Sequence, residues 1–296
     1  MNHIAVLMTC HNRREKTLEC LRALYLNAVP EDTILRVVLV DDGSTDGTAK
    51  AVSEYFPDVC IVFGDGSLFW NGGMRLAYEV AQDEPYDYLL WLNDDTLLEP
   101  DALKRLLSTE VQLRKRSSQP VIVVGSTCVP GTGITSYGGT TQPDRFRPLH
   151  FVIVQPTEVP QKCDSMNGNC VLIPREIALR VGNLEAHFVH SMGDTDYGLR
   201  AKMLGYSLWV LAGHAGNCIN DNLIIDSFSD AALSLTARMH KITGPKVLPP
   251  QAWMVLTRRH AGPLWPIHWA WPYTKVVLTW FFCRAVSRLP RWRSAP

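Results

Sequence analysis

The sequence predicts an α/β protein in which a mostly parallel sheet is covered by helices on both faces. Strand-like and helix-like segments alternate four times along the first part of the chain, which is typical of this class. The strand-like run at 37–40 is continuous and β-branched, as in strands covered on both faces. Each of the four runs ends in a polar cluster, and such sheets bind ligands outside the carboxyl ends of their strands. The pattern therefore predicts a binding site at one edge of the sheet.

The first four strands and helices follow from apolar periodicity and turn residues. The predicted strands cover residues 4–8, 37–40, 59–63 and 88–92. The predicted helices begin after Arg13, near Thr48, at Gly73 and after Pro100. The turn cluster at 41–47 ends the second strand and can cap the helix that follows it.

The second half of the chain is less regular. Residues 121–159 are rich in Gly, Thr, Pro and β-branched residues, and they predict irregular strands and loops. An apolar run at 170–173 precedes a short helix from Pro174. A further helix is expected from about Asp194 to Gly205, followed by a final strand at 206–211.

The charge distribution divides the chain into two predicted regions. The 296 residues have zero formal net charge, yet positions 231–296 carry ten Lys or Arg, no Asp or Glu, and six of the nine Trp. We expect a larger, acidic α/β domain at 1–222 and a basic, aromatic, helical extension at 223–296. Basic residues among aromatics favour contact with an anionic membrane surface. The alternative is packing of these aromatics on the domain or on a second subunit.

Composition and residue spacing disfavour three broad classes. The apolar stretch at 276–283 is shorter than the roughly 20 residues that cross a bilayer. Nucleic-acid binding is not expected, because the rest of the chain is acidic. The eight Cys form no C-x-x-C pair, which excludes zinc-ribbon spacing. The first residues indicate a strand and not a signal peptide, so we expect a reducing, cytoplasmic location.

Asn93-Asp94-Asp95 follows the fourth predicted strand. Two adjacent carboxylates are costly to hold together unless a cation or hydrogen bonds compensate their charge. Mg²⁺ or Mn²⁺ meets this need with one or two carboxylates plus phosphate oxygens, as a nucleotide diphosphate requires. The alternative interpretation is a solvated turn with a helix cap.

Other strand ends carry groups with the same ambiguity. Asp42 can accept a hydrogen bond from a nucleobase or ribose, or can simply belong to a turn. The paired Gly72 and Gly73 allow close backbone approach, and Arg75 can reach a phosphate, although a loop before a helix explains them equally. Asp194 can be a general base or a helix N-cap. His214 can be a metal ligand or a structural histidine.

The motifs in their order resemble family 2 glycosyltransferases with the GT-A fold. They are TCHNR at 9–13, VDDGSTDG at 40–47, NGG at 71–73, NDD at 93–95 and DTDYGLR at 194–200. The resemblance covers about residues 3–217 and is nearest to rhamnosyl- and galactofuranosyl-transferase-like members. It implies a GT-A nucleotide-binding sheet with a basic, aromatic C-terminal extension.

The resemblance also implies a role for each matching residue. The implied nucleotide-sugar-binding residues are Thr9, Asn12, Arg13, Asp42, Asn71, Gly72, Gly73, Arg75 and Asp94. The implied metal ligands are Asp95 and His214, and the implied catalytic base is Asp194. Many relatives have a Glu before this Asp, whereas this chain has Gly193. The segment at 167–170 resembles the acceptor-side strand of the family.

The implied reaction is metal-dependent, inverting transfer of a sugar from a UDP- or dTDP-sugar. The implied acceptor is a hydroxyl of a saccharide or lipid-linked saccharide in polysaccharide or cell-envelope synthesis. The implied location is the cytoplasm, including the inner face of the cell membrane. Two alternatives are a sugar-phosphate nucleotidyltransferase and an inactive glycan-binding module. The first usually carries a Gly-rich, basic loop after strand one, where this chain has TCHNR.

Overall fold

The computed structural model describes residues 2–219 and 233–287. Its contacts divide the chain into two compact units, Met1–Asn220 and Asp221–Pro296. The first unit contains the sheets and the strand ends with polar clusters. The second unit, where described, is helical.

The first unit is built on a ten-stranded mixed sheet. Eight strands follow the order β10-β13-β6-β12-β4-β1-β2-β3, while β5 pairs with β13 and β7 with β6. Their bounds are β1 Asn2–Cys10, β2 Thr33–Asp41, β3 Cys60–Phe63, β4 Tyr88–Leu92, β5 Leu97–Leu98, β6 Val121–Cys128, β7 Thr135–Tyr137, β10 Gln161–Cys163, β12 Cys170–Pro174 and β13 Ser207–Asn217. A small sheet has the order β11-β8-β9, with β8 at Gly139–Thr141, β9 at Val152–Ile153 and β11 at Ser165–Met166.

Six helices of this unit cover the large sheet. They are α1 Arg14–Tyr25, α2 Thr48–Tyr55, α3 Phe69–Ala81, α4 Ala102–Ser117, α5 Arg175–Val181 and α6 Gly193–Met203. Alternate residues of β1 point to opposite faces. Val6 belongs to a core with Leu21 of α1 and Leu106 of α4. Leu7 belongs to a second core with Met74 of α3. Helices therefore cover both faces, as the sequence predicts.

The parallel part of the sheet is β4-β1-β2-β3, together with the pair β6 and β13. Strand β12 lies antiparallel between β4 and β6. Its five residues are all buried, so its apolar pattern resembles that of a parallel strand and gives no sign of direction. Strand β13 runs six residues beyond the predicted end, because it pairs with β6 and β5 after register shifts near His214. His214 consequently lies within the strand and not after it.

The described part of the second unit consists of helices. They are α7 Leu235–Ile242, α8 Pro250–His260 and α9 Trp265–Ser287, with a 3-10 turn at Gly262–Leu264. Helix α9 packs on its own unit, where Trp269 donates to the Pro250 carbonyl and Tyr273 to that of Leu248. Within residues 2–219 and 233–287, no helix is sufficiently long and apolar to span a bilayer.

Candidate active site

Two carboxylates at the end of β4 form the most charged part of the site. Asp94 is 5% exposed, and burial raises its pKa to about 7, helped by the neighbouring charge of Asp95 and opposed by Arg13. Arg13 Nη1 lies 2.6 Å from Asp95 Oδ2 and 3.3 Å from Asp94 Oδ1. The pair thus needs positive charge, and the end of β1 supplies it in this structure.

Asp42, at the end of β2, holds the loop that leads into α3. Its Oδ1 accepts from the Gly66 N–H at 2.8 Å, and its Oδ2 accepts from the Phe69 N–H at 2.9 Å. Asp42 is 3% exposed. The structure therefore uses both carboxylate oxygens to fix the backbone of this loop. Phe69, the first residue of α3, has φ +52°, a conformation that this anchoring holds.

Trp70 connects the loop held by Asp42 with the residues that follow β4 and with those that precede β12. Its Nε1 donates to Asn93 Oδ1 at 2.7 Å, directly before the Asp94–Asp95 pair. Its ring lies so close to Gly168 that a Cβ there would overlap it. The same ring packs edge-on against Trp91 of β4, with centroids 6.1 Å apart. One indole thus contacts the residue after the end of β4 and a residue just before the start of β12.

Asp194 is the second residue of α6 and lies beside Gly168. Its Oδ2 accepts from the Gly168 N–H at 3.0 Å, and Asn169, next along the chain, accepts from the Asn93 N–H at 3.0 Å. Burial raises the pKa of Asp194, although the N–H groups of Thr195 and Gly168 oppose the shift. The chain segment at 168–169 therefore joins Asp194 to the Asn93–Asp95 turn. Asp42, Asp95 and Asp194 belong to one connected region.

Three of the residues expected beside the ribose and diphosphate make contacts within the protein. Asn71 is fully buried, and its Nδ2 donates to the Glu185 and Phe188 carbonyls. Arg75 donates to the Leu184 carbonyl. A Cβ at Gly73 would overlap Thr9 Oγ1 of β1, so this glycine allows α3 to approach the strand.

Two further expected binding residues are Gly72, in α3, and Asn12, just after β1. Gly72 packs on the Leu68 side chain. Asn12 is exposed, and its Oδ1 accepts from the Thr45 N–H at 2.8 Å. Its own N–H donates to Ser44 Oγ at 2.9 Å. Asn12 thus joins the loop after β1 to the loop after β2, and it is exposed next to Arg13.

The structure brings Cys218, and not His214, to Asp95. Cys218 Sγ lies 3.4 Å from Asp95 Oδ1, while His214 Nε2 is 3.0 Å from Thr135 Oγ1 of β7. Because β13 continues to Asn217, the residue after its end is the one that reaches the end of β4. The sequence gives no indication that Cys218 or Trp70 lies beside the acids, whereas the segment at 167–170 is expected on the acceptor side. In the part of the chain that is described, no group of three or more His, Cys, Asp or Glu could hold a metal ion.

Comparison with known proteins identifies the family of this chain. The model of glycosyl transferase family 2 matches residues 5–160, which is more than half of the chain and includes the ends of β1, β2 and β4. The chain belongs to glycosyl transferase family 2. As a member of this family it is a glycosyltransferase, and the matched residues include the TCHNR, VDDGSTDG, NGG and NDD motifs.

The names of two curated relatives refer to different sugars. Galactofuranosyltransferase GlfT2 of Mycolicibacterium smegmatis is 24% identical over 240 residues, covering 72% of this chain and 36% of the relative. Poly-beta-1,6-N-acetyl-D-glucosamine synthase of Staphylococcus epidermidis is 30% identical over 100 residues, covering 33% of this chain and 23% of the relative. The chain therefore spans about a third or less of either relative's length.

Two solved structures share the fold of this glycosyltransferase. The mannosyltransferase PcManGT of Pyrobaculum calidifontis, in complex with GDP-Man and Mn²⁺, has a TM-score of 0.52 at 17% identity, covering 96% of this chain and 74% of that one. TarS of S. aureus has a TM-score of 0.50 at 12% identity, covering 87% and 42%. These likenesses confirm the GT-A fold that the sequence predicts.

Proposed function

We propose that this glycosyltransferase moves a sugar from a UDP- or dTDP-sugar to an acceptor hydroxyl by a single, inverting displacement. The observation that supports it is the connection of Asp42, the Asp94–Asp95 pair and Asp194 through Trp70 and the 168–169 segment. A donor and an acceptor must meet within a few ångströms for direct transfer. Carboxylates at two strand ends and at the start of α6, linked through Trp70 and the 168–169 segment, are consistent with such a meeting point.

Asp194 is the proposed general base. Its two backbone hydrogen bonds fix the carboxylate, and burial raises its pKa. A base whose pKa lies closer to neutrality removes a hydroxyl proton more effectively. With Asp194 taking the proton, the acceptor oxygen attacks the anomeric carbon while the nucleoside diphosphate leaves. One displacement inverts the configuration, which the anomeric coupling constant of the product, measured by NMR, would record.

The Asp94–Asp95 pair fits a divalent cation. Both groups are hard oxygen donors, and the raised pKa of Asp94 means that its charged form gains from a nearby positive charge. We propose that Asp95, with Asp94 beside it, would hold Mg²⁺ or Mn²⁺; PcManGT, of the same fold, was solved with Mn²⁺. Such an ion, when bound, neutralises the charge of the leaving diphosphate. His214 is not included, because its side chain contacts Thr135.

We also propose that α9 lies on an anionic membrane, where a lipid-linked saccharide would be presented at the cytoplasmic face. Its Trp269 and Tyr273 face the α8 region, whereas one stripe of apolar residues is exposed. The stripe consists of Ile267, Trp271, Leu278, Phe281 and Phe282. Lys275 lies on the same side of the helix by its spacing, and its charge favours anionic headgroups.

The transferase proposal is tested by following release of nucleoside diphosphate from a panel of nucleotide sugars, with Mn²⁺ or with chelator. We expect one donor to be consumed only with the metal. Asp194→Asn should reduce turnover by about 10²- to 10⁴-fold while donor binding stays near that of the wild type. Asp101→Asn, an exposed acid paired with Arg105 on α4, is the control and should keep full activity. Lack of turnover with every donor and acceptor would favour an inactive glycan-binding module.

A further inference from the structure

One nitrogen of Arg13 bridges the two acids of the proposed metal site. Nη1 contacts Asp95 Oδ2 at 2.6 Å and Asp94 Oδ1 at 3.3 Å. A cation shared by adjacent carboxylates must lie where both oxygens point. Arg13 Nη1 therefore occupies the region that a divalent cation shared by these two acids would require.

The surroundings make this contact exchangeable. The Arg13 side chain is 38% exposed, whereas those of Asp94 and Asp95 are 8% and 16% exposed. Arg13 precedes α1, with φ −135° and ψ 40°, and its side chain contacts both acids through one nitrogen. Its long, flexible stem can therefore turn toward solvent, while the acids stay fixed in the core at the end of β4.

A guanidinium and a divalent cation compete for these oxygens. Two buried carboxylates without a cation repel one another strongly, so Arg13 stabilises the site before a metal binds. Once a divalent ion neutralises the acids, the guanidinium gains nothing from staying beside it. A planar guanidinium then suits the oxygens of a diphosphate, which it can bind through two parallel hydrogen bonds.

We propose that Arg13 is an exchangeable counter-ion, which neutralises Asp94 and Asp95 in the free enzyme and moves to the donor diphosphate when a divalent cation binds. This inference rests on the proposed function, since it needs both the metal and the diphosphate. The contrasting arrangement is a permanent one, in which Arg13 stays on the acids and takes the place of a metal throughout the reaction.

The proposal predicts two effects of opposite sign. Without its competitor, the site of Arg13→Ala should bind Mn²⁺ about tenfold more tightly than the wild type, from the usual strength of a charged hydrogen bond. With saturating Mn²⁺, the same variant should bind UDP or dTDP about tenfold more weakly. A site that had merely collapsed would lose affinity for both. Arg13→Lys keeps the charge and should fall between the wild type and Arg13→Ala.

Mn²⁺ binding can be followed by electron paramagnetic resonance, and UDP or dTDP binding by calorimetry. Arg14→Ala is the matched control, because the Arg14 guanidinium is half exposed and contacts Glu15 at 3.7 Å. It should leave both affinities unchanged. Thermal unfolding in chelator checks folding: Arg13→Ala should unfold at a lower temperature than the wild type and regain the difference with Mn²⁺.

The outcomes separate this inference from the proposed function. Metal-dependent transfer with unchanged or weaker Mn²⁺ affinity in Arg13→Ala overturns the exchange and leaves the transferase proposal standing. Transfer that persists in chelator, without Mn²⁺ binding in any variant, overturns both the exchange and the metal requirement. Tighter Mn²⁺ with weaker nucleotide binding supports the exchange.

Discussion

The side-chain oxygen of Asn71 occupies the space that a side chain at Gly193 would need. A Cβ at position 193 would overlap Asn71 Oδ1, and this buried oxygen has no hydrogen-bond partner among residues 2–219 and 233–287. Asn71 itself is held by the Glu185 and Phe188 carbonyls. Glycine therefore stands before Asp194 because α3 and α6 approach closely there. A larger residue at position 193 would therefore require Asn71 to move.

Gly193→Ala should lower the free energy of unfolding by about 1–3 kcal/mol, since the added methyl group meets a fixed amide. In an Asn71→Ala background the same substitution should cost at least about 1 kcal/mol less, because the obstructing oxygen is gone. Urea unfolding of the four proteins in this cycle measures the difference. Equal costs in both backgrounds would mean that the two residues do not interact.

Trp70→Phe removes the bond to Asn93 Oδ1 while keeping most of the aromatic surface. We expect a loss of about 1 kcal/mol in unfolding free energy, and slower transfer because the turn before Asp94 and Asp95 is less fixed. Trp209→Phe is the control, since the Trp209 Nε1 donates to Ser207 within its own strand. It should cost similar stability and leave transfer unchanged. A rate in Trp70→Phe equal to that of the control would remove Trp70 from the site's support.

Asp94 should make the metal-free protein less stable as pH rises. Its pKa in the folded protein is about 7, above the ordinary 3.8, so the folded state binds this proton more tightly than the unfolded state does. The resulting stabilisation is complete below pH of about 4 and disappears as pH rises through 7. Relative to Asp94→Asn, the wild type should lose more than about 1 kcal/mol between these limits. Urea unfolding in chelator measures both proteins, and parallel pH curves would contradict the raised pKa.

Membrane binding by α9 should depend on its exposed stripe. Phe282→Ser should weaken binding to vesicles containing an anionic lipid by about tenfold, since burying a phenyl group is worth roughly 1.5–3 kcal/mol. Phe63→Ser is a matched control, because the two side chains are 71% and 72% exposed and Phe63 lies in β3. Flotation of the full chain at low salt measures both. Full-length protein that stays unbound would end the membrane proposal.

The sequence by itself determined the fold class, because its strongest patterns are local. Apolar runs and turn clusters located β1 to β4 and the helices between them, and the strand-end motifs were sufficient for the family. Those patterns depend on neighbours within a few residues along the chain. These patterns do not predict the direction of β12, since a strand buried on both faces has the same composition in either direction.

Only the tertiary structure decided which polar residues meet. Trp70 reaches Asn93 across 23 positions, Gly168 reaches Asp194 across 26, and Cys218 reaches Asp95 across 123. Such contacts depend on the order of strands in the sheet and on the length of β13, and local periodicity in the sequence predicts neither. For the same reason Asn71 and Arg75, which look like ligand-binding residues beside a glycine pair, bind backbone carbonyls of the loop before α6.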